Sequence, residues 1–159
     1  VNEPRKEDKM TVPVHGTITD GSQSIMYSVL SSSSYVTDIT KNIYDGDAHK
    51  VASRVGYPFI VIAPPVYSKT PMTQVAWEAT VTIPLIYRTE QEAVLRQLSD
   101  AIEQAIIEAE STFILDNMVN PSFSRPAPDN DVGANGKIIY GFARDVYFDV
   151  QSVYYPPAP

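Results

Sequence analysis

The sequence predicts an α+β domain: a mainly antiparallel sheet with two helices packed on one face, and extended loops or arms. Three observations lead there. From Trp77 to Arg88 apolar and polar side chains alternate, the period of a strand with one face buried. Directly after it, from Thr89 to Glu110, apolar residues recur at helical spacing. The order helix, strand, long strand, long helix, strand, joined largely by hairpins, suits helices laid on one side of an antiparallel sheet.

Residues 1–19 read as an N-terminal arm. Val1 to Met10 is polar and contains proline, and Thr11 to Thr19 (TVPVHGTIT) has weak strand character. Asp20 or Ser22 caps a first helix, with Ile25, Val29, Val36, Ile39 and Ile43 on one face. Serine hydroxyls compete for the backbone, so Ser31 to Ser34 makes this one helix with a weak middle or two short ones. Asp45 to Asp47 is a turn. Tyr57 to Ala63 (YPFIVIA) is a short apolar strand with both faces covered, closed by Pro64 and Pro65. Val66 to Thr73 is a turn or hairpin loop.

The long strand runs from Gln74 to Tyr87. Trp77, Ala79, Val81, Ile83, Leu85 and Tyr87 point one way; Glu78, Thr80, Thr82, Pro84, Ile86 and Arg88 point the other. At about 3.3 Å per residue it spans roughly 45 Å, so it bends or extends past its own domain. Pro84 cannot donate to a ladder, which marks an edge or a bulge there. Thr89 and Glu92 have the spacing of a capping box at the start of the long helix. Val94, Leu95, Leu98, Ala101, Ile102, Ala105, Ile106 and Ala109 form its apolar face, to be packed on the apolar face of the strand. Glu92, Arg96, Asp100 and Glu103 lie opposite. Ile107 lies on that polar side, as an isolated exposed residue or as a subunit contact.

Residues 111–137 are rich in Pro, Ser, Asn, Asp and Gly and read as one long loop, functional or mobile at this length. Phe113, Ile114, Leu115 and Met118 at its start extend the helix or pack locally. Ile138 to Tyr154 is the last strand, with Phe142, Val146, Phe148 and Val150 buried and Asp145, Asp149 and Gln151 exposed. Arg144 interrupts the buried face. The domain therefore covers residues 20–154, followed by an extended tail at 155–159.

The chain has 159 residues, enough for one domain with a real core. Its net charge of −7 and pI near 4.7 argue against sequence-independent nucleic-acid binding, which needs a basic surface. With no cysteine, disulfide and thiolate chemistry are excluded. The longest apolar run, Tyr57 to Tyr67, is too short and proline-broken to span a bilayer. The charged start VNEPRKEDK lacks the apolar core of a secretory signal. No phosphate-cradling glycine loop, HExxH or GxSxG occurs. His15 and His49 lack metal-ligand partners at helical spacing. Asp45-Gly46-Asp47 with His49 departs from calcium-loop spacing and reads as a turn. Asp129, Asp131 and the neighbouring Asn residues are a cation site or ordinary loop residues. A carboxylate pair of Glu78 and Asp145 is conceivable on adjacent strands. The sequence thus names no catalytic, cofactor or metal residues. Pro84, Ile86, Ile107 and Phe123 are the candidate subunit-interface residues.

A first helix, then YPFIVIAPP, VAWEATVTIPLIYRT, EQEAVLRQLSDAIEQAI and a late ARDVYFDVQSV follow one another in an order and spacing similar to the tail terminator, or tail-completion, proteins of long-tailed bacteriophages. The resemblance covers roughly Asp20 to Gln151. It contains no invariant motif, and residues 111–137 and the tails depart from the minimal pattern. It implies a structural virion protein, assembled in the host cytoplasm and located in the tail or neck. Such proteins form a hexameric ring that caps the tail tube, stops its polymerisation and joins it to the head completion or connector proteins. No enzyme activity, cofactor or membrane is implied. An acidic lumen would let DNA pass by like-charge repulsion, without specific binding. Two other readings stand beside it. One is a neck connector or tail tube subunit; the other, of a different class, is a small α+β ligand-binding domain or enzyme, which needs a pocket of convergent polar groups.

Overall fold

A computed structural model of the chain describes residues 15–46, 56–71 and 77–150. The helices are α1 (His15–Ser32), α2 (Ser34–Thr37), α3 (Glu92–Glu108) and α4 (Glu110–Ile114). The strands are β1 (Ile43–Asp45), β2 (Phe59–Ile62), β3 (Val66–Pro71), β4 (Trp77–Thr89), β5 (Met118–Phe123), β6 (Ala127–Pro128), β7 (Asp131–Val132) and β8 (Ile138–Val150). They form one mixed, mostly antiparallel sheet with the spine β1-β2-β4-β8-β5. Only β1 and β2 pair in parallel. β3 pairs with β4 beyond the end of β2, and β6 and β7 pair with β8 beyond the end of β5. The α+β class holds, with the helices on one face.

Two strands carry the sheet. β4 and β8 stay in antiparallel register from Ala79 opposite Val150 to Thr89 opposite Tyr140. Their alternation sets the burial. Val81, Ile83, Leu85 and Tyr87 are fully buried, together with Val146 and Phe148, while the residues between them are partly exposed. This buried face meets Met26 and Leu30 of α1, Val36 of α2, and Leu95, Leu98, Ile102 and Ile106 of α3 in one apolar core. Each such side chain contributes about 1.5–3 kcal/mol of transfer free energy. Phe113 of α4 joins it, its ring 4.6 Å from that of Phe148.

Several local expectations are corrected. Residues 15–19 belong to α1, so the arm does not reach Thr19, the strand character of Thr11 to Thr19 is not realised there, and Asp20 and Ser22 lie inside the helix. The serine run breaks the helix at Ser33, which is extended, and leaves α2 as a single turn. Ile43 opens a strand instead of lying on a helical face. The residues assigned to a turn or hairpin loop at Val66 to Pro71 are strand β3. The capping box is absent: α3 starts at Glu92, its cap residue Gln91 makes no side-chain bond, and the Thr89 hydroxyl donates to the Gln91 carbonyl at 2.7 Å. Residues 111–137 are not one loop, since α4, β5, β6 and β7 lie wholly or partly within them. The tail at 1–10, His49, and the end of the chain from Gln151 lie outside the described residues.

Pro84 is not at an edge. β4 has β8 on one side and β2 or β3 on the other. The Pro84 carbonyl accepts the Ala63 N–H at 2.9 Å. The nitrogen and carbonyl of one strand residue point to the same side. The missing N–H therefore faces Ala63 to Pro65, where β2 has ended and β3 has not begun. The β8 ladder loses nothing.

Arg144 does interrupt the buried face, and it is used there. Its guanidinium donates to Glu103 Oε2 at 3.0 Å and Ser99 Oγ at 3.4 Å on α3, and its Nε to the Ser124 carbonyl at 2.8 Å. It also lies over the Phe123 ring at 5.0 Å. Ser99 in turn bonds the Tyr87 hydroxyl at 2.7 Å. The network ties α3 to both central strands and to the segment after β5.

Burial pushes the Tyr87 phenol above its ordinary 10.0, against the opposing pull of Ser99 and Arg144. A raised folded value means that Tyr87's contribution is intact below about pH 10, the unfolded value, and is lost as pH rises through the folded one. In an alkaline absorbance titration Tyr87 ionises above the ordinary tyrosine value, as Tyr35 and Tyr67 also do, and Tyr87→Phe diminishes that late component. An unchanged late component in Tyr87→Phe would contradict this.

Candidate assembly surfaces

Side-chain chemistry does not converge on a reaction centre among the described residues. Asp145 sits opposite Pro84 in the β4–β8 ladder, so it is not the cross-strand partner of Glu78. No group of three or more His, Cys, Asp or Glu side chains there is placed to hold a metal ion. Asp45 ends β1, and burial raises its pKa; Asp47 and His49 lie outside the described residues. A shallow groove between α1, α2 and α3 is floored by small residues such as Ser28, Ser32, Ala105 and Thr112. Tyr35 crosses to Glu108, its hydroxyl donating to Oε1 at 3.1 Å, and that bond together with the Glu108 charge raises the phenol pKa.

The strongest electrostatic feature is Arg88. It lies on the helix-free face of β4 and is only 4% exposed. Its guanidinium bonds Asp129 at 3.0 Å and Asp131 at 3.3 Å, while Nε has no partner. The cation that suits this Asp-rich stretch is therefore the chain's own arginine. Gly141, opposite Arg88 on β8, makes the approach possible. The Asp129 N–H donates to the Gly141 carbonyl at 2.8 Å, and the Gly141 N–H donates to Asn130 Oδ1 at 3.1 Å. A Cβ at position 141 would stand 2.4 Å from the Asp129 carbonyl oxygen and 2.9 Å from Arg88 Cγ. The clamp thus holds the β6–β7 segment against β8 and shapes one end of the helix-free face.

That face and the two sheet edges are the surfaces left for partners. On the face, Thr80, Thr82, Pro84 and Ile86 of β4 are half-buried beside Ala143 and Asp145 of β8 and the more exposed Tyr147. Among the described residues β3 pairs only with β4, and Val66 at its start is 60% exposed. At the opposite edge β5 pairs only with β8 and bulges between Val119 and Ser122. There Asn120 adopts φ +54° and bonds Asp149 at 3.1 Å, and Pro121 is tolerated because the strand is an edge. Above β5, α3 and α4 expose Ile107 and Ile114, and Leu115, just past the end of α4, is 83% exposed.

The four residues singled out in the sequence fall in two places. Pro84 and Ile86 share the helix-free face, where Ile86 packs on Phe59 and Val61. Ile107 and Phe123 belong to the helix side, Ile107 half-exposed on α3 and Phe123 partly buried under Arg144. Sequence reasoning passed over Val66, Leu115 and the Arg88 clamp. The signal for the clamp was an arginine ending a strand face whose four preceding positions, Thr80, Thr82, Pro84 and Ile86, carry no charge, with an Asp-Asn-Asp run to answer it.

No family model matches the sequence, and no curated protein matches it. The chain is similar to a chain of a solved structure described as the virion of a native gene transfer agent particle. The identity is 13%, the TM-score 0.57, and the match covers 82% of this chain and 97% of that one. The likeness is one of fold.

Removing a partner from a buried charge costs more than removing the charge itself. Asp129→Asn with Asp131→Asn strands Arg88 and is expected to lower unfolding free energy by about 3 kcal/mol in urea titrations at neutral pH. Arg88→Met leaves two carboxylates within reach of water and costs less. The reverse ranking would refute the clamp.

Proposed function

We propose that this chain is a structural virion protein, a tail terminator that assembles head-to-tail into a ring. The reading carried from the sequence is a hexamer that caps the tail tube and joins it to the head completion or connector protein. The supporting observation is the fold shared with a chain of a gene transfer agent virion, along nearly the whole of that chain. The molecule also suits the task. Its two sheet edges are unlike, one formed by β1 and β3 and the other by β5 beneath α3 and α4. Contact between unlike surfaces is heterologous, and it closes into a ring when the rotation between copies allows. Ile107 belongs to the second surface, and Pro84 and Ile86 to the helix-free face that such a ring turns toward a lumen or a partner. The net charge of −7 suits passage of DNA without adhesion.

Light scattering after size exclusion, across concentration, tests this. A discrete ring, or a concentration-driven shift toward one, is expected, and Ile107→Asp shifts the equilibrium toward monomer while leaving the circular dichroism spectrum unchanged. Open polymers growing with concentration would point to a tube subunit instead. A monomer at every concentration would overturn self-assembly.

A further inference from the structure

The two ends of the central strand pair are unlike. At one end β8 finishes opposite Met118, and α4 runs out into Ile114 and Leu115, both exposed. They stand between the exposed carboxylates of Glu110 and Asp116, and the sequence carries no cation from Gln97 to Ser124. The result is an apolar knob with an acidic border. At the other end, where β8 begins, the β7–β8 hairpin faces the turn from β4 into α3. Between them lies an open cleft of about 580 Å³. Its wall combines the apolar Ile138 and Ile139 with the Tyr57 ring and the polar Glu90, Asn135 and Lys137. Ile138 is exposed there, as is Val132, its cross-strand partner in the hairpin. Lys137 is exposed too.

We infer that Ile114 and Leu115 of one copy seat in this cleft of the next. The inference rests on the ring reading and names its contact. Three features carry it. The cleft falls within the range of about 300–1,000 Å³ that encloses a drug-sized group, so it has room for two aliphatic side chains. Its chemistry asks for an occupant that is apolar at the centre and acidic at the border, since Ile138 and Ile139 supply the wall and Lys137 a cation. The knob is such a surface. Glu90 alone opposes the incoming carboxylates. The two surfaces also stand at opposite ends of β8, whose 13 residues span about 40 Å at about 3.3 Å each. No copy fills its own cleft at that separation, and contact between unlike ends is head-to-tail. Two knobs meeting each other would set like charges together.

The chain has no cysteine, so engineered thiols report this contact without background. A disulfide needs Cα atoms about 4.4–6.8 Å apart. The full chain carrying Leu115→Cys on the knob and Ala134→Cys in the cleft, both at exposed positions, is oxidised and run on non-reducing gels. A ladder of covalent oligomers ending at a discrete ring is expected, while each single variant stays monomeric on the gel. Leu115→Asp is expected to raise the concentration needed for assembly by about tenfold or more. Lys137→Glu also raises it, and Glu90→Gln lowers it. If wild-type rings form but the double variant gives no ladder, the ring reading stands, this contact is wrong, and the cleft is left to a different chain. Efficient pairing through Leu115→Cys alone replaces the contact with a two-fold one between knobs. A ladder that never closes keeps the contact and overturns the ring. A wild-type chain that never self-associates removes both. Circular dichroism of each variant separates lost assembly from lost folding.

Discussion

The pairing of β4 with β8 is the constraint on which the rest depends. Both strands are long, both alternate in polarity, and their register sets one apolar face and one mixed face. Every other strand but β1 attaches to one of these two. The apolar face accounts for the helical layer, because α1 and α3 can bury their own stripes only there. The length of β4 also explains its change of neighbour. No single short strand covers it, so β3 accompanies its first half and β2 its second, and Pro84 falls at the changeover.

Two arginines next to this pair do different work. Arg144 sits on the core side and spends its donors on α3 and on the backbone after β5, which locks the helical layer to the sheet. Arg88 sits on the other side and holds the β6–β7 segment. Both guanidiniums are largely withdrawn from water and both meet carboxylates that stay partly exposed. Such pairs do little for net stability and a great deal for geometry, since each leaves one arrangement in which the buried charge is compensated. They fix the shape of the surfaces that remain outside.

Those surfaces suit association more than chemistry. Apolar groups left in solvent include Val66 at the β3 edge and Ile107, Ile114 and Leu115 on the side of α3 and α4. Contact between unlike sides of one subunit is head-to-tail by geometry.

The sequence by itself determined the class, the long strand, the long helix and the composition of the core. Period-two and helical patterns are local, and burial of a pattern acts wherever its partner lies. Trp77 to Arg88 and Leu95 to Ile106 were legible for that reason. Tertiary structure alone decided the rest. Whether Pro84 lies at an edge depends on which strands flank it, and that is set by pairing between distant segments. The strands within residues 111–137 are short, two of them contain proline, and only the β8 ladder makes them strands. The cation for Asp129 and Asp131 is more than forty positions away at Arg88, brought there because Gly141 leaves room for the backbone to close on it. Cap and helix starts also escaped, because the buried Thr89 hydroxyl is used by the Gln91 carbonyl and not by the helix. Local pattern records what a segment must bury, and only long-range packing decides what it meets.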